Sequence, residues 1–210
     1  IGTGKQMTVS EIVQDVQHYL PFIQSSGGGI TVSGGEPLLQ LPFLIELFKA
    51  CKSLGIHTAL DSSGGCYSAA PAFQEQIKEL IQYTDLVLLD LKHHNRKKHI
   101  NLTGMPNDHI LEFARFLAEH QVPVWIRHVL VPGISDIDAD LTALGTFIGT
   151  LANVQKVEVL PYHKLGVYKW EALGLDYPLK GVEPPSADRA ENAYRLLTAH
   201  LQGGSLLQET

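Results

Sequence analysis

Cysteine is nearly absent: of 210 residues, only Cys51 and Cys66 carry thiols. Two thiols make no disulfide framework, which excludes a stapled secreted fold and points to a reducing cytoplasm. No apolar run approaches the roughly 20 residues needed to cross a bilayer, and no signal-peptide pattern opens the chain. Basic charge is also short. Sixteen Lys and Arg stand against 22 Asp and Glu, a net charge of −6, which is the wrong balance for a general nucleic-acid binder. An initiator Met is missing too, since the chain opens on "IGTGKQMTV". The expectation is a trimmed or processed piece of something longer. What is present, 44% hydrophobic and 18% charged residues, suits one globular domain over residues 1–210 with an ample core.

The punctuation of the chain is that of alternating strands and helices. "TVSE" (Thr8 to Glu11) is a capping-box pattern, followed by Ile12, Val13, Val16, Tyr19 and Leu20 at helical spacing. Pro21 and the "SSGGG" run are expected to end that helix. "GITVSGG" reads as a strand, and Pro37 fits the first turn of the next helix. The same cycle recurs through "GIHTALDSSGG", "DLVLLDLK", "VPVWIRHVLVPG" and "VQKVEVLPYHK", with amphipathic segments between them and a last helix over Ser186 to His200. Such alternation predicts βαβ units and a parallel sheet of about five strands, an α/β fold. Residues 166–186 read as a long loop.

Ligands of parallel α/β folds bind beyond the carboxyl ends of the strands. Those ends read "SGGE", "DSSG", "DLK", "RHVLVPG" and "PYHK", and they gather Glu36, Asp61, Ser62, Asp90, Lys92, Arg127 and His163. Each also has a plain structural reading. Asp61 and Ser62 can shape a turn, Lys92 can be solvated, His163 can be structural, and "SGGE" can be only a tight turn. Arg127 is harder to leave idle, because a guanidinium in an apolar strand needs a partner. The turn with Glu36 resembles a phosphate cradle in its glycines but not in its charge. A phosphate loop adds Lys or a hydroxyl, whereas Glu36 repels phosphate. It suits a cationic group such as an ammonium, which the loop carbonyls can also accept. With Lys92 and Arg127 opposite, the set suits a zwitterionic amino-acid ligand.

"KHHNRKKH" (Lys92 to His99) reads as a solvated loop, one that can dock an acidic partner. His93 and His94 diverge, and no carboxylate is spaced to complete a metal site with them. Cys51 lies in a helix and reads as core. No Gly-x-Ser-x-Gly elbow is present.

Taken in order, "SGGEPLLQ", "DLVLLDLKH", "VWIRHVLVPG" and "VLPYHKLGVYKW" resemble the radical S-adenosylmethionine (SAM) superfamily, and within it the pyruvate formate-lyase activating enzymes. The likeness covers roughly Lys5 to His200. It implies that Gly34, Gly35 and Glu36 contact the methionine end of SAM. It also implies that Asp90, Leu91 and Lys92 line the site with Lys92 near the carboxylate, that His163 touches SAM, and that Arg127 supports it. Asp61, Ser62 and Asp90 match positions that can hold a monovalent cation, although His93 stands where relatives commonly have Met.

The resemblance further implies a [4Fe–4S] cluster on a Cys-x-x-x-Cys-x-x-Cys loop after the first strand. This chain has no such motif, and Cys51 and Cys66 have the wrong spacing and place. The motif and first strand are expected before Ile1, leaving a partial (β/α)6 barrel and an unpaired β-edge prone to association or to disorder near the N-terminus. The implied activity is an oxidoreductase's. A reduced cluster cleaves SAM, and the resulting 5′-deoxyadenosyl radical installs a glycyl radical on formate acetyltransferase (pyruvate formate-lyase) for anaerobic glucose metabolism. Flavodoxin or ferredoxin is the implied electron donor. The 210 residues alone are expected to be inactive. Rival readings are an activase of another glycyl radical enzyme and a non-radical α/β-barrel lyase or binding module.

Overall fold

Thr8 starts the first helix as its spacing predicts. Its hydroxyl accepts from the Glu11 N–H, and the Glu11 carboxylate accepts the Thr8 N–H at 2.7 Å, so α1 runs Val9–Gln17. The computed structural model describes residues 4–201. Pro21 does not end this helical region. It lies in the first turn of a second helix, α2 (Leu20–Ser26), where a missing N–H costs nothing. The expectation about the extreme N-terminus falls partly on residues 1–3, outside the described residues.

The chain then alternates. β1 (Gly29–Val32) leads through a 3-10 turn (Pro37–Gln40) into α3 (Leu41–Ser53), and β2 (His57–Ser62) is followed by α4 (Pro71–Leu80). Beyond β3 (Leu86–Asp90) come α5 (Arg96–Thr103) and α6 (Asp108–Glu119). β4 (Val124–Leu130), α7 (Asp138–Ile148), β5 (Val154–Pro161), α8 (Val167–Ala172) and α9 (Ala187–Thr198) complete the order. The sheet runs β1-β2-β3-β4-β5, every pair parallel. Strands parallel and in sequence order, joined by right-handed crossovers, collect their helices on one face. The result is the wall of a partial (β/α) barrel with five strands among the described residues. The outer edge of β1 has no strand partner among them.

Side-chain alternation sorts the two faces. Leu60, Val87, Val124, Leu89, Ile126 and Val157 share register across β2 to β5. All are buried against Phe48, Phe113, Leu117, Leu144 and Leu197 from the helices. Each such side chain contributes about 1.5–3 kcal/mol by leaving water. The opposite face carries Asp61, Asp90, Trp125, Arg127, Lys156 and Glu158, all half-buried. The apolar core therefore lies outside the wall, and the charges lie inside it.

Two expectations about loops need correction. "KHHNRKKH" is not a solvated loop. Asn95 caps a helix there by accepting the Lys98 N–H at 3.1 Å, and His93 and His99 are only 4% and 3% exposed. His93 lies against Asp140 of α7 and His99 against the Met105 carbonyl, contacts that sequence spacing alone does not reveal. Residues 166–186 are not wholly irregular either, since they include α8. No helix among the described residues is long and apolar enough to cross a membrane.

Candidate functional site

Parallel pairing brings every strand exit to one rim. At its centre, Asp90 and Arg127 are register partners on the inner face. Arg127 Nε donates to Asp90 Oδ1 at 3.0 Å, and Nη1 donates to Asp61 Oδ2 at 3.1 Å. Nη2 donates to Asp61 Oδ1 as well. Lys92 Nζ donates to Asp90 Oδ2 at 3.2 Å. Two carboxylates and two cations thus offset each other, with Arg127, Asp61 and Asp90 only about one-fifth exposed (19%, 23% and 21%). Burial opposes the guanidinium's charge, but Asp90 and Asp61 outweigh it and hold Arg127 above its ordinary value. The partner that Arg127 required is therefore a pair of carboxylates from two neighbouring strands.

Beside this centre lies the β1 exit. Gly34 holds φ +110°, a conformation L side chains rarely adopt, and both Gly34 and Gly35 face open space. The Glu36 carboxylate accepts four donors: the Leu38 N–H (3.2 Å), the Ser62 hydroxyl (2.7 Å), the Ser63 N–H (3.0 Å) and the Ser63 hydroxyl (2.5 Å). The acid caps its own 3-10 turn and ties the β1 exit to the β2 exit. Ser33, Gly34 and Gly35 are exposed. The importance of Ser63 was not legible in sequence, because its bond partner lies on another strand's exit.

Other expected residues fall differently. The Leu91 side chain is 2% exposed and packs in the core. Only its backbone reaches the rim, its N–H donating to Arg127 O at 2.9 Å. Asp61 and Ser62 are consecutive strand residues, so their side chains point to opposite faces. Ser62 turns toward Glu36 while Arg127 bridges both aspartates. Among the described residues, no three His, Cys, Asp or Glu side chains converge to hold a metal ion. His163 is exposed at the β5 exit, and its Nδ1 accepts the Leu165 N–H at a long 3.4 Å. Behind it, the Tyr162 and Tyr177 hydroxyls are 2.8 Å apart, beside a cavity of about 230 Å3. Burial and the Tyr162 contact push Tyr177 up to about 12.

Behind the Lys92 segment, His93 Nδ1 accepts the Asn95 N–H at 3.0 Å, while Nε2 stands 3.5 Å from Asp140 Oδ2, long for a hydrogen bond. Asp140 also receives Lys98 Nζ at 2.5 Å. Burial lowers the His93 pKa and prevails over Asp140, which pulls it up. A carboxylate partner for His93 therefore exists, but it comes from α7, far along the chain.

The cysteines behave as structural residues. Cys51 is fully buried in α3, Cys66 is half-buried, and both are free thiols that burial pushes up. Neither the number nor the placement of these thiols fits an iron–sulfur cluster.

A parallel wall with in-order strands, an open glycine turn after β1 and a charged rim at β2 to β4 defines a partial α/β barrel whose strand exits are the place where such folds take ligands. The Radical SAM superfamily profile matches residues 1–144, and the chain belongs to that superfamily. Its similarities are narrower still. It is 56% identical over 192 residues to a pyruvate formate-lyase-activating enzyme of Staphylococcus epidermidis, covering 91% of this chain and 76% of the relative. The enzyme of that name from Staphylococcus aureus is 55% identical over the same shares. A crystal structure of a domain of pyruvate-formate lyase-activating enzyme from Bacteroides vulgatus aligns with TM-score 0.66 and 29% identity, covering 82% of this chain and 94% of that one.

Proposed function

We propose that this chain is the SAM-binding core of an activating enzyme that installs a glycyl radical on pyruvate formate-lyase (formate acetyltransferase) in a reducing cytoplasm. The observation that carries the reading is the rim. A lysine and an open turn of backbone acceptors flank a charge-balanced centre, on a chain 56% identical to an enzyme of that name. The rim residues fit SAM, a zwitterion at its methionine end. Lys92 Nζ faces the carboxylate and exchanges its 3.2 Å contact with Asp90 for the ligand. Carbonyls of Ser33–Gly35 accept from the ammonium, with Glu36 as the anchor that shapes their turn. Arg127 holds Asp61 and Asp90 in place, and His163 contacts the ligand from the β5 side.

Bound SAM supplies the hydrogen-abstracting radical chemistry, while the chain supplies position and exclusion of water. Ligands for a [4Fe–4S] cluster have to come from outside these 210 residues, which hold two cysteines. Flavodoxin or ferredoxin is the electron-donor class the reading requires.

The test uses the full-length protein, reduced and supplied with SAM and pyruvate formate-lyase. Electron paramagnetic resonance should show a glycyl radical on the partner, and Lys92→Ala should abolish most of it. A normal radical yield from Lys92→Ala would overturn the site assignment. Absence of any radical with the wild-type protein would overturn the partner.

A further inference from the structure

The residues that follow β3 are held in an unusual way. Lys92 sits in a loop whose backbone is fixed by buried side chains from elements remote in sequence. His128, in β4 and 1% exposed, places Nδ1 2.8 Å from Leu91 O. Asn107, 2% exposed, donates its Nδ2 to both His93 O and His94 O at 2.8 Å. Asn107 occupies the N-cap position of α6, where Asn ordinarily caps its own helix. Here its side chain makes no cap bond and serves the loop instead. The carbonyls on both sides of Lys92 are therefore pinned, while the Lys92 side chain remains one-third exposed at the rim (33%).

The His128 ring is flanked by two acceptors, since its Nε2 lies 3.1 Å from Ser135 O. Burial pushes this imidazole's pKa down against the upward pull of those two carbonyls, and a neutral ring has one proton to give. The shorter contact is at Nδ1. Ser135 in turn donates its hydroxyl to Val129 O at 2.7 Å and accepts the Val131 N–H at 2.8 Å. The exit of β4 is thus fixed without help from the ring. Leu91 O has the His128 ring as its partner.

We propose that His128 and Asn107 are positioning residues for Lys92: their buried hydrogen bonds to the Leu91, His93 and His94 carbonyls set the lysine's reach to the carboxylate of the bound amino-acid ligand. The inference rests on the SAM reading above. It adds two residues that do not touch ligand and act only through the backbone of the loop after β3. The energetic logic is that a buried carbonyl stripped of its donor must find water, and the loop moves to reach it. A lysine displaced by about 1 Å loses a directional charge-assisted bond.

The test exploits the geometry of the amides. Asn places its amide donor near the Nδ1 position of His, whereas Gln places its donor near Nε2. His128→Asn should therefore keep the bond to Leu91 O, and His128→Gln should lose it while still reaching Ser135 O. Calorimetric titration of the full-length protein is made with SAM and with methylthioadenosine, which lacks the amino-acid end. His128→Gln and Asn107→Leu should each weaken SAM about tenfold and leave methylthioadenosine unchanged, while His128→Asn should stay near wild type. Amide hydrogen exchange over residues 91–95 should rise in the first two variants only. In a Lys92→Ala background, His128→Gln should cost no further SAM affinity, because the residue acts through the lysine.

Equal loss in His128→Asn and His128→Gln, or equal loss for both ligands, would overturn the positioning role and leave a structural one. Undiminished SAM binding by Lys92→Ala would instead overturn the reading on which this rests, and the positioning claim with it.

Discussion

The centre and the flanks of the rim are built in opposite ways. At the centre, the exits of β2, β3 and β4 are locked: Arg127 bridges Asp61 and Asp90, and His128 and Asn107 pin the loop that bears Lys92. At the flanks, the glycine turn after β1 and His163 after β5 are exposed, and His163 accepts the Leu165 N–H at a long 3.4 Å within its own turn. The lesson is a division of labour. The groups that must meet a charge at a fixed place are preorganised and partly buried, where electrostatics are strong. On the proposed reading, the groups that admit the ligand stay open. Glu36 links the two regimes, anchored on the β2 exit yet shaping the open turn.

Breaking the centre should have the largest effect. Arg127→Met leaves Asp61 and Asp90, each about one-fifth exposed, facing each other without their cation. It should cost about 3 kcal/mol of stability, read by urea denaturation, together with nearly all SAM affinity. A loss below about 1 kcal/mol would show that the centre is not locked. Lys92→Ala separates ligand binding from stability. Its ion pair with Asp90 is partly exposed and worth at most about 1 kcal/mol, whereas SAM affinity should fall tenfold or more. Denaturation and calorimetry on the same sample check both halves.

Acid should weaken the backing of the centre. His93 and His128 both titrate below the ordinary value of 6.5 in the fold, chiefly because of burial. The unfolded chain therefore takes up protons first as pH falls. Their contribution is complete above pH 6.5 and declines on acidification from there toward the folded-state values. Around these rings, Asp140 and Lys98 are the charged groups already paired. Thermal melts between pH 7.5 and about pH 5 should show the decline, and His128→Asn should flatten it. Asp140 is held below its ordinary value: burial works against this, but Lys98 and His93 prevail. Its own loss follows only at lower pH.

The smallest effects belong to the open turn. Gly34→Ala forces a side chain into φ +110° and should cost about 1 kcal/mol. Gly35→Ala has no positive φ and open space around it, so stability should stay within about 0.5 kcal/mol. A large loss at Gly35 would mean that the turn is as rigid as the centre.

Much of this was legible in the sequence. The alternation of strands and helices, the capping box at Thr8 and the convergence of Asp61, Asp90, Lys92 and Arg127 on one rim all follow from periodicity and from the rule for parallel sheets. Arg127 was recognisable as needing a partner, because its neighbours are apolar. What was illegible depends on contacts between distant segments. Nothing local says that Asn107 abandons its own helix for the His93 and His94 carbonyls, or that His93 is buried against Asp140. Pro21 misled because a proline that ends one helix and one that begins the next look alike in sequence. The hydroxyl bond from Ser62 to Glu36 was equally illegible, because it joins two strand exits. Lys156 and Glu158, by contrast, were within reach, since "VQKVEVLP" alternates with period two and puts both on the inner wall.

The most direct measurement of the central claim is a crystal structure of the full-length protein with SAM. The account predicts the methionine carboxylate within hydrogen-bond distance of Lys92 Nζ and the ammonium at the Ser33–Gly35 carbonyls, with the Arg127 bridge to Asp61 and Asp90 intact. Density for the ligand elsewhere, such as the cavity beside Tyr162 and Tyr177, with Lys92 still on Asp90, would contradict it.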